Sequence, residues 1–364
     1  MTRAGREPVT AGRLGVWLAV TFGICMITGL ISHGIQHPPG WFDWPSRPVN
    51  LYRITQGAHV LSGIAAIPLL AAKLWSVAPK LFERPVVRSL PHLLERGSLL
   101  VLIASATFEL ITGLFNIAQN YPWNFSFPDL HFALGWIAVG SLLLHAAVKI
   151  PAFRSALGEP REPAERGGLV GRRGFLGLTA LSVGTAVTVT AGMTVPWLRD
   201  LAVLGTRSPN GPQGLPVNRT ATAAGVLDIS RDPGWRLEVS GPRGTRTFSR
   251  PELAALPQTT AELPIACVEG WSAQATWSGV PLADLLREVG AAPDAEVRIS
   301  SLEEGSPYSS TVLPAAHARD PLTLLALRLG GEPLHPDHGY PCRLIAPNRP
   351  GVLQTKWVRR VEVL

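Results

Sequence analysis

The chain is poor in charge. Only 16% of its 364 residues are Asp, Glu, Lys or Arg, against about a quarter in an ordinary globular protein. The shortage is uneven, because most charges fall after residue 200 or in short clusters between apolar runs. The composition therefore describes an apolar half joined to a soluble half, and the length suffices for two separately cored domains. Cysteine is also scarce. Cys25, Cys267 and Cys342 are too few for a disulfide framework. Cys25 lies in an apolar span and reads as packing, while a single Cys267–Cys342 disulfide stays open at this point. The formal net charge is +7, yet no basic stripe interleaved with exposed aromatics goes with it, which argues against nucleic acid as a partner. Internal repeats and low-complexity tracts are absent too.

What is present first is hydrophobic length. The stretches 14–32, 57–76, 98–118 and 130–150 each approach or exceed the roughly 20 residues a helix needs to cross a bilayer. A fifth, 175–198, is milder and rich in Gly, Ala, Thr and Val. Backbone polar groups in lipid must be paired within the segment, so helices are expected. Arg3, Arg6 and Arg13 precede the first span, Lys80, Arg84, Arg88 and Arg96 follow the second, and Arg154, Arg161, Arg166, Arg172 and Arg173 follow the fourth. The other two loops carry little positive charge, mainly Arg47 and Arg53, but many aromatics, Trp41, Phe42 and Trp44, then Tyr121, Trp123, Phe125 and Phe127. Positive charge marks the cytoplasmic side and aromatics mark an interface. The expectation is a multi-pass protein of the inner cell membrane, lipid-embedded, with everything after the fifth span extracytoplasmic. Arg172-Arg173 before a weakly apolar stretch reads equally as a twin-arginine export signal or as a positive-inside flank.

Four regions result: a helical transmembrane domain over 1–155, a cytoplasmic linker with the fifth helix over 156–198, a Pro/Gly-rich linker over 199–218, and a soluble domain over 219–364. In the last, strands are expected at 235–239, 296–300, 343–345 and 357–364, and helices at 282–289 and 321–328, the latter stopped by Gly330-Gly331. The fold class is thus an all-α transmembrane bundle of four helices plus an anchor helix, followed by a mixed α/β, β-rich domain.

The soluble half carries an ordered series of motifs. Asn218-Arg219 comes first, then Cys267-Val268-Glu269-Gly270-Trp271 and Trp277-Ser278-Gly279-Val280-Pro281-Leu282. The segment from Ser301 to Tyr308 follows, then Asp320-Pro321-Leu322 and Gly331-Glu332-Pro333-Leu334. Asp337-His338-Gly339-Tyr340-Pro341 precedes Arg343, with Pro347, Gly351 and Lys356-Trp357 near the end. In this order the chain from about residue 215 onward resembles the sulfite oxidase superfamily, whose molybdopterin domain is shared with methionine-sulfoxide reductases and plant nitrate reductase. The resemblance implies a molybdenum–molybdopterin cofactor with one protein thiolate on the metal, and Cys267 matches that position. A soft thiolate suits a redox-active metal, and a Cys267–Cys342 disulfide would remove it, so Cys342 becomes core. The same match assigns His338, Arg343 and Lys356 to the cofactor's phosphate and pterin edge, with Asn218 and Arg219 as earlier contacts. Arg forks onto phosphate and Lys acts as a point charge. Arg349 and Arg359 fit a solvated surface better. Tyr308 falls loosely where a substrate-side tyrosine belongs, and Arg298, Arg319 and Arg349 are the cations available for an oxyanion.

Ionisable residues within apolar spans mark function by default. His59 opens the second span and His131 begins the fourth. His145 lies fourteen residues further on, which returns it to within about 40° of the same face, roughly 21 Å along the axis. This resembles the ligand pattern of cytochrome b bundles. His59 and His131 can clasp one haem b near the outer face, and His145 is a possible ligand of a second. The pair His59 and His145 is the alternative if the second helix extends through Leu51. Glu109 within the third span fits a proton relay or a group neutralised by an internal partner. The expected function is an oxidoreductase passing electrons from a quinol or other membrane donor through haem to molybdenum, which reduces a small-molecule or protein sulfoxide-like substrate. Sulfite-like oxidation with inward electron flow uses the same parts. A haem-free anchored molybdenum domain and a non-catalytic binding module are the remaining alternatives.

Overall fold

A computed structural model describes residues 7–85, 87–158, 171–191, 193–205 and 211–364. Arg161 and Arg166 of the expected cytoplasmic cluster lie outside them. The apolar half forms α1 (Pro8–Gln36), α2 (Leu51–Leu81), α3 (Leu90–Ile117), α4 (Phe127–Gly158) and α5 (Arg172–Ala191). The first four are, among the described residues, the helices long and apolar enough to cross a membrane. Their burial is low because apolar side chains point outward all round, as Ile27, Leu100, Leu143 and Leu144 do. The fifth stretch departs from expectation. Its helix ends at Ala191, and Pro196–Leu201 is a separate 3₁₀ turn. Glycine and threonine dilute its apolar character, and a proline cannot extend a helix from inside it.

The chain divides into two compact units. One contains residues up to Leu30, Ala58–Gly192 and Trp197–Thr206; the other contains Ile31–Gly57, Met193–Pro196 and Arg207–Leu364. In the first, α3 and α4 run together, and Leu14, Leu69, Phe175 and Leu176 make a small core.

The second unit is built on two sheets. Its elements are α6 (Leu227–Ser230), β1 (Arg236–Gly241), β2 (Gly244–Ser249), α7 (Arg250–Ala255), β3 (Thr259–Ala266), β4 (Ser272–Pro281) and α8 (Leu282–Glu288). They continue with β5 (Val297–Ser301), β6 (Ser310–Leu313), α9 (Ala315–Ala318), β7 (Leu324–Leu329), β8 (Glu332–Pro333), β9 (Arg343–Ile345) and β10 (Val358–Val363). One sheet has the order β2-β1-β10-β5-β6, with β1 and β10 parallel. In the other, β3 pairs β4, β4 pairs β7, and β7 also pairs β8 and β9. The expected strands appear within a residue or two, and so does the helix at 282–289.

The expected helix over 321–328 is instead β7, a central strand. Leu324, Leu325, Ala326 and Leu327 are all buried, so both faces of the strand are covered and no alternation shows in the sequence. Leu and Ala favour a helix locally, and partners on both edges override that preference. Gly330 and Gly331, expected to stop a helix, have φ of 61° and 85° and turn β7 into β8. Opposite β7, Gly279 marks a bulge in β4. A Cβ there would strike the Leu325 carbonyl and Ala326 Cα. Gly279→Ala is expected to destabilise this unit by about 3 kcal/mol, read as earlier cleavage in pulse proteolysis across a urea series.

Candidate functional site

The hairpin between β3 and β4 presents Cys267. The Cys267 amide donates to the Trp271 carbonyl at 2.8 Å and the Gly270 amide to the Cys267 carbonyl at 3.1 Å. Gly270 sits at φ 88°, where a side chain would be strained. Cys267 is 3% exposed. Asn218 Nδ2 donates to its Sγ at 2.9 Å, and Asn218 Oδ1 accepts from Trp271 Nε1 at 2.9 Å. The indole thereby fixes the amide, and the amide addresses the sulfur. Cys267 and Cys342 are both reduced thiols, and Cys342 is fully buried in the core.

The other motif residues gather in two steps. Asp337 Oδ1 accepts from the Ala221 amide at 2.7 Å, which ties the segment after Arg219 to the Asp337-His338-Gly339 turn. Lys356 Nζ donates to the carbonyls of Asp337 at 2.7 Å and Arg219 at 2.8 Å. Gly339 has φ 105°, and a Cβ on it would meet Lys356 Cα and Arg343 Cβ near 3.2 and 3.1 Å. The glycine thus lets the turn pass close against the backbone of Lys356 and the stem of Arg343. His338 Nε2 donates to the Pro212 carbonyl at 2.6 Å. Burial holds its imidazolium down at about 4, so the ring is neutral near pH 7.

Arg343 is 3% exposed. Its guanidinium lies over the Trp277 ring at 5.3 Å and gives one bond to the His338 carbonyl at 3.3 Å. Its Nε is buried with no hydrogen-bond partner, and burial lowers its pKa to about 10. A planar, buried, under-satisfied cation suits a phosphate. The residues present therefore fit a pterin phosphate.

Lys356 gives a pH prediction. Burial, with Arg343 nearby, pulls its ammonium down to about 7 from an ordinary 10.5. Between those values the unfolded chain binds the extra proton, so stability rises with pH across that window. Cofactor-free protein is expected to melt at a higher temperature at pH 9 than at pH 7. Lys356→Met should flatten that rise in a thermal scan.

Three assignments are modified. Arg219 points its Nε at buried Glu303, 2.6 Å away, a carboxylate within the segment from Ser301 to Tyr308 to which the sequence assigns no role; only its backbone carbonyl meets Lys356. Tyr308 lies in the β5–β6 loop and is half exposed. Burial, then the charges of Cys267 and Glu269, push its phenol up. Arg349 is buried rather than solvated, and Nη2 donates to Thr311 Oγ1 and the Val312 carbonyl, both at 3.1 Å. The edge strand β6 leaves that carbonyl without a strand partner. Arg298 pairs with Glu362, and Arg319 donates to the Ala291 and Ala292 carbonyls. Arg298 is thus neutralised by a carboxylate, whereas Arg319 and Arg349 bond neutral acceptors and each keeps a buried Nε without a partner.

In the helical unit, His59 and His131 come together with ring centroids 6.3 Å apart and planes at 81°. Two imidazoles on opposite sides of one metal, with bonds of about 2 Å, would stand about 6 Å apart. His59 Nδ1 bonds the Cys25 carbonyl at 2.8 Å, and Glu109 Oε2 lies 2.9 Å from His131 Nδ1. The Cys25 carbonyl holds His59 Nδ1 and leaves its Nε2 as the ligating atom, while His131 Nδ1 lies within ion-pair distance of Glu109 but makes no hydrogen bond. Gly29 makes room, since a Cβ there would lie 3.0 Å from His59 Cε1. No cluster of three or more His, Cys, Asp or Glu able to hold a metal occurs among the described residues. The centroid separation of His59 and His131 matches the spacing of two imidazoles on one metal. Helix α2 does extend through Leu51, yet His59 meets His131 and not His145. Glu109 has the internal partner that the sequence left open.

Comparison with known proteins agrees with the geometry. Residues 224–364 match the family described as oxidoreductase molybdopterin binding domain. An uncharacterized oxidoreductase, YuiH, of Bacillus subtilis is 30% identical, over 42% of this chain and 75% of its own length. Mitochondrial sulfite oxidase of Drosophila melanogaster is 33% identical, over 35% of this chain and 27% of its own. A putative protein-methionine-sulfoxide reductase subunit, YedZ1, of Azospira oryzae is 35% identical, over 35% of this chain and 48% of its own. The chain thus spans less than half the length of the latter two relatives.

Proposed function

We propose a function from one premise: the chain belongs to the molybdopterin-binding oxidoreductase family, and it is an oxidoreductase. The reading is a membrane-bound enzyme in which a quinol or similar donor supplies electrons through haem b to a molybdenum site on the outer side, where a sulfoxide-like substrate is reduced. The observation that carries it is the Cys267 sulfur, buried and addressed by Asn218, in one unit with the under-satisfied cation Arg343. When bound, the molybdenum cofactor supplies two-electron redox chemistry to which the protein adds placement and tuning. Cys267 would be the protein's thiolate ligand. The Asn218 amide would steady that sulfur and lower its basicity by donating to it. Arg343, Lys356 and His338 would hold the phosphate and pterin edge, and Gly339 would let its turn approach the two cations closely. Tyr308, half exposed near Cys267, would donate its phenolic proton towards a substrate oxygen.

The sulfoxide reading is favoured over sulfite oxidation by charge. A sulfite-like oxyanion needs spare cations, and Arg219 and Arg298 are already neutralised by Glu303 and Glu362. His59 and His131 would hold the haem. A dithionite-reduced spectrum of the detergent-purified protein tests the whole scheme. A b-type signal that methionine sulfoxide reoxidises is expected, and His59→Ala should remove it. No molybdenum on elemental assay, or no Soret band, would overturn the corresponding half.

A further inference from the structure

Residues 31–57 connect α1 to α2, yet they belong to the same compact unit as the molybdopterin-binding domain. They hold it at three places. Arg47 forks onto Asp320 through Nε and Nη2 at 2.8 and 2.9 Å. Arg53 donates to Ser272 Oγ and Gln274 Oε1, both at 3.1 Å, on β4. The third place is the neighbourhood of Cys267 itself.

There the segment reaches the residues on either side of the cysteine. Gln56, 4% exposed, donates from Nε2 to the Val268 carbonyl at 2.9 Å. Its Oε1 accepts from the Tyr52 hydroxyl at 3.4 Å, so the amide is oriented. On the other side Asn348 is seized completely. Its Oδ1 accepts from the Tyr52 amide at 2.6 Å, an orphan donor in the first turn of α2. Its Nδ2 donates to the Pro45 carbonyl at 2.6 Å, and its own carbonyl accepts from Trp44 Nε1 at 2.8 Å. Asn348 lies at φ 56°, and two residues on, Pro350 forms a parallel bridge with Ala266. Gly351 packs against the Ala266 carbonyl so closely that a Cβ would sit 3.3 Å from it. Tyr52 and Ile35 complete an apolar cluster around Ala266.

We propose that Gln56 and Asn348 are positioning residues for Cys267: through them the 31–57 segment sets the place of the sulfur from both sides. The inference rests on the reading of Cys267 as the molybdenum ligand. Its physical basis is that a buried carbonyl and a left-handed turn beside a ligand keep one geometry only while their partners hold. A molybdopterin domain without this segment would retain its fold and its thiol but leave the ligand loop loosely set.

The test compares three variants of the full-length, detergent-purified protein. Gln56→Leu removes the donor to Val268. Asn348→Gly keeps the left-handed backbone and removes the side-chain grip. Arg47→Ala breaks the ion pair remote from Cys267 and serves as control. The readouts are molybdenum content, the Mo(V) electron paramagnetic resonance signal, and kcat and KM for methionine sulfoxide with reduced viologen as donor. Gln56→Leu and Asn348→Gly are expected to shift the Mo(V) signal and to lower kcat about tenfold with KM little changed. Arg47→Ala should keep the wild-type signal. A wild-type signal in either Gln56→Leu or Asn348→Gly overturns the proposal, as does an equal shift in Arg47→Ala. Absence of molybdenum from the wild-type protein would instead overturn the reading of Cys267.

Discussion

Cys267→Ser is expected to lower turnover by more than about a hundredfold, because losing a ligand outweighs losing one of its outer-shell partners. The fold should survive. The side chain is 3% exposed in a hairpin whose closing bonds are made by its backbone, to Trp271 and from Gly270. A serine oxygen is nearly isosteric and can accept the Asn218 amide proton. It is a hard, weakly acidic ligand where a redox-active metal needs a soft thiolate. The expected pattern is therefore an unchanged melting profile of cofactor-free protein and loss of the sulfur-to-metal absorption in the loaded enzyme. Cys342→Ser makes the contrast. Burial pushes that thiol up to about 12, its neighbours are apolar, and replacing it should cost stability without touching the metal. If both variants lose activity equally through unfolding, the assignment of distinct roles fails.

Arg343→Met is expected to stabilise the cofactor-free protein while abolishing retention of the cofactor. The guanidinium is buried with its Nε unpartnered, and burial lowers its pKa from 12.5 to about 10. A cation whose folded pKa lies below the unfolded value destabilises the fold at every pH below that window, here by about 3 kcal/mol at neutral pH. Methionine fills similar volume over the Trp277 ring without a charge, and such replacements of buried ions are neutral or stabilising by about 1–4 kcal/mol. A phosphate paired with the guanidinium would reverse the balance in the loaded wild type. The measurement is a pair of thermal melts, with and without cofactor. Wild type should gain from loading and Arg343→Met should not. A loss of stability in cofactor-free Arg343→Met would mean that Arg343 serves the fold alone.

Much of the site was legible because it is made of local motifs with fixed chemistry. The Cys267–Trp271 segment shows its cysteine, its turn glycine and the tryptophan that orients Asn218. The Asp337-His338-Gly339 turn, Arg343 and Lys356 could be named from residue type and order. Their partners could not. Glu303 pairs with Arg219 from the β5–β6 loop, and nothing around it in sequence distinguishes a buried carboxylate from an exposed one. Arg349 read as solvated because its only acceptors are a threonine hydroxyl and an edge-strand carbonyl, which exist only once β6 is placed. The helix expected over 321–328 failed for a similar reason. Leu-rich runs satisfy both a helix and a strand buried on two faces, and only pairing with β4 and β9 decides between them.

The apolar spans show the division most clearly. Four runs of sufficient length determine four long helices, since intrasegment hydrogen bonding is set by length and hydropathy alone. The histidines on them could be picked out as ionisable groups in apolar surroundings. Which histidine meets which was left to the tertiary structure, because helix rotation and depth follow from packing. It is packing that sets His59 between Cys25 and Gly29 and against His131, and gives His131 a carboxylate in Glu109. The same holds for residues 31–57, which read as an interfacial loop of aromatics between two spans. Sequence separation hides that Gln56 meets Val268 and that Tyr52 meets Asn348, since contacts across two to three hundred residues leave no periodicity or motif behind. The sequence by itself determined which residues have the chemistry to hold a metal; the tertiary structure decided which of them are held in place, and by what.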